Sequence, residues 1–479
     1  MLVGDSWLPA LLVCFTFGFA GHVKGQTFKI LHTFSPLVPS YTNGFDIFTT
    51  NLDGSAPRGR LILSGNNLIG TTYYGGSGGN GTIFKVNKDG TDFSVLYTFT
   101  AGKTNYTGAL ITNRDGISPP AGLAISGNTL YGVASFGGSF GDGTVFSLNT
   151  DGSDFTTLHH FLFINDGGVP TSITLSGGGL YGTCAVGDLY GSGGSIFVAY
   201  GTSVGILHVF SSIYNIDGIS PNGLVSSGGA LYGSANGGGG ACHDPCGFGT
   251  VFSGTATEVL KTFTSRDVEG AYPGEVNLSG NVLYGVTTAG GSYSNGTIFS
   301  IDVDGTGFTK LWDFHPGDGN PTSGRLTISG NRLYGQTARA LFKINTDGTG
   351  FTNLYRFSAQ SQTPPYTNID GAQPQGGLLL DGAALYGVME GGGSFGGGTV
   401  FSLSFPPRLS IVSSVSNIVL SWPTNYDGFD YSGFNLRSTS DLALGLWDTN
   451  LPAPVLVNGQ YTVTNPVSGA QQFFRLSSP

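Results

Sequence analysis

Seven acidic residues stand at matching places along this 479-residue chain, each followed by Gly and, a few residues later, by Pro. They are Asp53, Asp115, Asp166, Asp217, Glu269, Asp318 and Asp370, ahead of Pro57, Pro119, Pro170, Pro221, Pro273, Pro321 and Pro374. A ring of carboxylates could hold a cation or sugar hydroxyls, and two of them could cleave a glycosidic bond as acid and base. Asp-Gly ahead of Pro is also turn chemistry, in which the carboxylate caps backbone amides two residues on. Seven-fold repetition favours the turn, since a working site more often breaks the symmetry of a repeat.

Other residues invite chemistry and are weighed the same way. Asn87, Asp89 and Asp92, or Asp302 and Asp304, space their oxygens like part of a calcium loop, but no later bidentate acid follows. Calcium is therefore the one cofactor to consider, and hairpin turns account for these residues better. His32, His159 and His208 share one slot in the repeat, where other copies carry Tyr97, Lys261, Trp312 and Tyr355. A slot so tolerant reads as a partly exposed strand position, not a metal or acid–base site. The chain carries no nucleophile elbow, zinc-protease helix or phosphate loop. Tyr73, Tyr74, Phe136, Phe140, Tyr190, Tyr293 and Phe395 fall in or beside variable glycine-rich loops. There they could offer contact area to a glycan or protein, Tyr74, Phe136 and Tyr293 above all, or pack the loops on one another.

The elements that must position these residues repeat about every fifty residues, marked by Leu-Tyr-Gly at Leu130, Leu180, Leu231, Leu283, Leu333 and Leu385, with Leu68-Ile69-Gly70 a degenerate first copy. Each copy holds four β-patterned runs: Leu-x-Leu-Ser-Gly-Asn, Leu-Tyr-Gly, Gly-Thr-Val/Ile-Phe and Phe-x-x-Leu-x-x-Phe. Ser-Gly-Asn and Asn-x-Asp-Gly supply two tight hairpins, at one end of each sheet. The glycine-rich loop and the Asp-Gly-x-x-Pro joint then lie at the other. The chain opens on a fourth run, Phe28 to Phe34, and the array closes on a third, Gly398 to Leu403. This order predicts an all-β, seven-bladed β-propeller over residues 28–405, its last blade sealed by one strand from the start and three from the end. After Pro406-Pro407 the repeat stops, and residues 408–479 predict a small fibronectin-III-like β-sandwich with Trp422 in its core.

Composition narrows the function. The 82 glycines, 10% charged residues and net charge of −10 leave no basic face for a nucleic acid, and no apolar run is long enough for a transmembrane span. Residues 1–25 read as a signal peptide with an apolar stretch from Leu8 to Ala20, although no Lys or Arg precedes it. In an exported chain Cys242 and Cys246 are expected to form a local disulfide; a metal site with His243 is the alternative. Cys184 is left as a small buried residue.

The succession of Leu-Tyr-Gly, Gly-Thr-Val-Phe and Asp-Gly-Thr-x-Phe resembles the Gloeo/Verruco (GloVer) tandem repeat of bacterial exported proteins over roughly residues 28–405. Leu420-Ser421-Trp422-Pro423 and Phe473-Phe474-Arg475-Leu476 are similar to β-domains that end many verrucomicrobial secreted proteins. The resemblance implies a propeller-like fold and a secreted or surface location, and it brings no activity with it. The expectation is a monomeric, non-enzymatic binding or structural module that meets an extracellular protein or glycan through its long-loop face. The alternative is an extracellular polysaccharide-active enzyme using the acids of the Asp-Gly-x-x-Pro loops.

Overall fold

Glycine in Leu-Tyr-Gly is there for space. Gly132 pairs across the sheet with Phe146, and a Cβ on it would lie 2.3 Å from the Phe146 ring. The same conflict, at 2.3 to 2.7 Å, recurs at Gly70, Gly182, Gly233, Gly285, Gly335 and Gly387 with the phenylalanine of the paired Gly-Thr-Val/Ile-Phe run or its counterpart. The second strand thus gives up a side chain so that the third can bury a ring, a gain of roughly 1.5–3 kcal/mol per copy.

The structure, a computed structural model, describes residues 26–42, 46–104, 111–187, 193–211, 216–240, 247–254, 258–413, 416–442, 445–449, 451–466 and 472–477. It is almost entirely β-sheet; the helices among these residues are single turns, Phe163–Asp166 and Arg266–Glu269. Seven antiparallel sheets follow one another, numbered here by their Leu-Tyr-Gly (or Leu-Ile-Gly) strands. Sheet two is typical, with strands Ala124–Ser126, Thr129–Ala134, Thr144–Asn149 and Thr156–His160 in that order. Sheet seven consists of Ala372–Asp381, Ala384–Gly391 and Thr399–Ser404, and its outer strand is Thr27–Thr33 from the start of the chain. The longer interval between Leu68 and Leu130 accommodates an added hairpin, Lys103–Thr104 with Ile111–Thr112.

Two irregularities repeat through the sheets. Between the third and fourth strands the register slips by one residue in all seven, as between Ile83 and Phe84 or Val145 and Phe146. The skipped residue is the leucine of the fourth run, so the next side chain is re-aimed, as a β-bulge does. The innermost strand is also irregular, a single bulged strand in sheets three and seven. In sheets one, four and five it is two short pieces, such as Ser55–Pro57 and Ile62–Ser64, both paired with Asn67–Tyr74. The Asp-Gly-x-x-Pro segment, expected as a joint, is therefore partly strand.

Neighbouring sheets are tied in a repeating way. Gly143 (φ 109°) meets Pro170 of the following sheet, as Gly194 meets Pro221, Gly249 meets Pro273, and Gly398 of sheet seven meets Pro57 of sheet one. The residue before that proline adopts φ of 55–59° at Ala56, Ser118, Val169, Ser220, Tyr272 and Gln373, a costly conformation for non-glycine residues. Its N–H bonds the preceding sheet: Ser118 to the Asn80 carbonyl, Val169 to Asp142, and Ala56 to Gly397 at 2.9 Å.

Beyond residue 405, Ser410–Ser413, Asn417–Pro423, Gln460–Pro466 and Val455–Val457 form one sheet, and Asn435–Thr439 with Phe473–Ser477 a second. Leu420, Trp422, Leu436 and Val463 make their shared core. A small hairpin, Asn425–Tyr426 and Phe429–Asp430, docks onto sheets six and seven, where Phe429 and Tyr431 bury against Tyr334, Leu403 and Phe405. Asp427 at its tip accepts from Arg332 Nε at 2.6 Å and from Lys343 Nζ.

Candidate functional site

The seven acids are not brought together. Each lies in the connection between two successive sheets and, sheet five apart, accepts from the fourth strand of the earlier one, capping amides that precede it in the chain instead of amides two residues on. Asp115 accepts from Tyr97 Oη at 2.7 Å, Thr100 N–H at 2.9 Å and Thr100 Oγ at 2.6 Å. Asp53 takes His32 Nε2 at 3.1 Å, the Ser35 N–H at 3.0 Å and the Ser35 hydroxyl. Asp166 takes His159 at 2.5 Å and Asp217 takes His208 at 2.7 Å. Glu269 binds Lys261 Nζ at 2.6 Å and the Thr264 N–H at 2.9 Å. Asp370 accepts from Tyr355 Oη at 3.1 Å and Ser358 N–H at 2.8 Å. Sheet five departs from the pattern: Trp312 fills the slot, and Asp318 bonds the His315 N–H at 3.1 Å. The acid's own carbonyl accepts from the Gly-Thr threonine, as Asp115 O does from Thr144 Oγ1 at 2.9 Å.

The His/Tyr/Lys/Trp slot is a partly exposed strand position, as the sequence predicts, and these bonds add what it does. It is the position just past the bulge, and it faces the acid. It also packs across to the next sheet. His32 stacks on Phe93 at 3.5 Å, Tyr97 on Phe155 at 3.7 Å, Trp312 on Phe351 at 4.4 Å and Tyr355 on Phe28 at 4.1 Å, while Lys261 lies 4.6 Å over Phe308. The slot takes a donor that is flat or cationic, which is what His, Tyr, Trp and Lys share. Burial works to raise the carboxyls of Asp53 and Glu269, but their hydrogen bonds to His32 and Ser35, and to Lys261 and Thr264, outweigh it and hold both below the usual carboxylate values. Burial and the Asp370 charge push Tyr355 up to about 12.

The remaining sequence candidates divide. Tyr74, Phe136, Phe140, Tyr293 and Phe395 are exposed by 40 to 48%, while Tyr190 lies outside the described residues. Asp89 and Asp304 each cap a turn, binding the N–H and hydroxyl of Thr91 and Thr306, and Asn87 bonds Asp92. Among the described residues no cluster of three His, Cys, Asp or Glu could hold a metal ion. The expected disulfide is corrected: among the described residues there is none, and Cys184 is a free, buried thiol. Cys242 and Cys246 themselves lie outside the described residues. The ends of the loop that carries them are joined by the Gly249 N–H on the Gly238 carbonyl at 3.0 Å.

What sequence reasoning missed is central. The breaks and bulges in the innermost strands wall a cavity of about 820 Å³ to which all seven sheets contribute, through residues such as Arg58, Ala121, Ser172, Asn222, Glu275, Arg325 and Gln375. Backbones come very close there: a Cβ on Gly376 would lie 2.5 Å from Arg60 N, and one on Gly324 2.5 Å from Gly377 N. The charged lining residues are Arg58, Arg60, Arg325, Glu275 and Glu390. Arg58 donates through Nε and Nη2 to Glu390 at 2.9 and 2.5 Å and lies 4.0 Å over the Tyr73 ring. Arg60 Nε donates to the Leu378 carbonyl at 3.0 Å, and Arg325 Nη2 to the Leu224 carbonyl at 2.8 Å. The one available signal was the place of Arg58, Arg60 and Arg325, each one to four residues past a repeat proline, in a chain poor in charge.

No curated protein matches the chain. Among solved structures it is similar to a puromycin hydrolase (11% identity, 79% of this chain and 60% of that one, TM-score 0.48), an oligogalacturonate lyase in complex with manganese (10%, 80% and 99%, 0.43) and a gluconolactonase from Xanthomonas campestris (16%, 62% and 89%, 0.37). Likenesses this distant say nothing of a ligand. The repeat itself is specific: the Gloeobacter/Verrucomicrobia repeat matches residues 102–273 and again 247–417. The chain belongs to the Gloeobacter/Verrucomicrobia repeat family.

Proposed function

We propose that this chain is an exported, monomeric, non-enzymatic binding or structural protein: a closed seven-bladed propeller over residues 28–405 with a fibronectin-III-like sandwich over 408–479, preceded by a signal peptide. Closure is supported by the strand Thr27–Thr33 on sheet seven, by the Ala56–Gly397 and Pro57–Gly398 contacts, and by the cavity that all seven sheets share. The observation that carries the reading is that the repeat acids are engaged one by one, each at its own sheet-to-sheet connection, by hydrogen bonds from the preceding fourth strand and the turn after it. A catalytic pair needs carboxylates converging on one bond in different surroundings, whereas these are near-equivalent and separate. Contact with an extracellular protein or glycan falls to the long-loop face, where Tyr74, Phe136 and Tyr293 stand exposed.

A glycan array and a reducing-end assay on the same mature protein test this. Retention of a glycan, lost in a Tyr74→Ala, Phe136→Ala, Tyr293→Ala triple variant of unchanged melting temperature, is the expected result. Polysaccharide turnover abolished by one Asp→Asn change among the repeat acids would overturn it in favour of an enzyme.

A further inference from the structure

The cavity's charge does not balance. Three guanidinium groups face two carboxylates, leaving one positive charge at the hub of a chain whose formal net charge is −10. Arg58 is matched by Glu390, which Gln375 Nε2 steadies at 3.1 Å. Arg60 and Arg325 share what remains. Glu275 approaches Arg325 Nε at 3.3 Å but makes no hydrogen bond to it, so a buried guanidinium N–H is left without an acceptor. Among the described residues no acceptor meets the terminal nitrogens of Arg60.

A buried, uncompensated cation is costly, and an unfilled guanidinium donor adds to the cost. Both arginines are pinned by backbone carbonyls of other sheets, Leu378 and Leu224, so little side-chain freedom remains to be lost on binding. Burial and the neighbouring Arg325 pull Arg60 down to about 10, the direction that a nearby anion would reverse.

We propose that the central cavity is an anion site in which Arg60 and Arg325 together hold one carboxylate, sulfate or phosphate group of a small ligand. Such a group neutralises the hub and supplies the missing acceptor, and guanidinium forks suit planar carboxylates and tetrahedral oxyanions alike. Glu275 is the internal competitor for Arg325. This site is independent of any role of the long-loop face.

Calorimetry on the mature chain tests it with glucuronate, glucose and inorganic sulfate as probes. Glucuronate, sulfate or both should bind, glucose should not, and affinity should fall as sodium chloride rises. Glucuronate alone would assign an organic carboxylate, and sulfate alone or equally well a free oxyanion; either supports the proposal. Arg60→Gln and Arg325→Gln should each weaken binding about ten-fold or more. Glu275→Gln, which removes the competitor and needs no arginine, should strengthen it several-fold. The proposal is overturned if neither anion binds the native chain, or if Glu275→Gln leaves affinity unchanged or lower. The loop-face triple variant should bind these anions like the native chain, so either reading can fail without the other.

Discussion

At the scale of single residues, the acid and the slot opposite it act as one unit. Asp115 is buried and collects three hydrogen bonds, so Asp115→Ala strands three donors and should cost about 1–3 kcal/mol in denaturant titrations. A double-mutant cycle with Tyr97→Phe should give a coupling on the order of 1 kcal/mol; additivity would mean that the pair does not act together. The carboxyls also set a pH dependence. Asp53 and Glu269 are held below their ordinary values, so the unfolded chain takes up protons first as pH falls. Their contribution is therefore complete above the unfolded carboxylate range, about 4 to 4.5, and is lost as acid reaches the folded values. Denaturation midpoints should stay level from neutral pH to about 5 and decline below about 4.5, with a shallower decline in Asp53→Asn. The acids were conspicuous in the sequence, and so was the slot. Their pairing was not, because a bulge on one leucine decides which way the slot faces and leaves no trace in residue type.

At the scale of elements, glycine separates what the sequence could show from what it could not. Gly127 in a hairpin (φ 58°) has open space where a methyl would sit, whereas a methyl at Gly116 (φ 106°) would lie 2.5 Å from Ala134 Cβ and Thr144 Oγ1. Both look alike as turn glycines. Gly127→Ala should cost about 1–2 kcal/mol for the left-handed backbone alone, while Gly116→Ala should cost clearly more, because the Asp-Gly turn must also back away from two strands. Equal losses in thermal unfolding would refute the close approach. Strand runs, tight turns and the pairing of the opening strand with the last sheet were legible because β-residues and turn glycines mark themselves. The break in the innermost strand was not, since Pro57-Arg58-Gly59-Arg60 reads as loop; the cavity arginines sit in that break, and so the most unusual charges of the chain went unread.

At the scale of the whole molecule, the two ends of the chain are held by different forces. The strand Thr27–Thr33 adds a ladder and the buried Leu31 to sheet seven, and Phe34 follows directly; removing residues 26–35 would bare the edge Thr399–Ser404, inviting aggregation visible by light scattering. The C-terminal unit is held by a hairpin whose tip charge, Asp427, meets Arg332 and Lys343 over the buried Phe429. Burial works to raise Asp427, but bonds to Lys343 and Arg332 outweigh it, so this docking too should weaken in acid. Asp427→Ala strands two cations beside a packed aromatic, and Phe429→Ala removes the ring. Either should leave the melting of the seven-sheet array nearly unchanged while speeding protease cleavage near Pro406 and Pro407 several-fold at neutral pH. Native chain at low pH should resemble Asp427→Ala in that assay. Cleavage as slow as in the native chain at neutral pH would show that the C-terminal unit is held by something other than this hairpin.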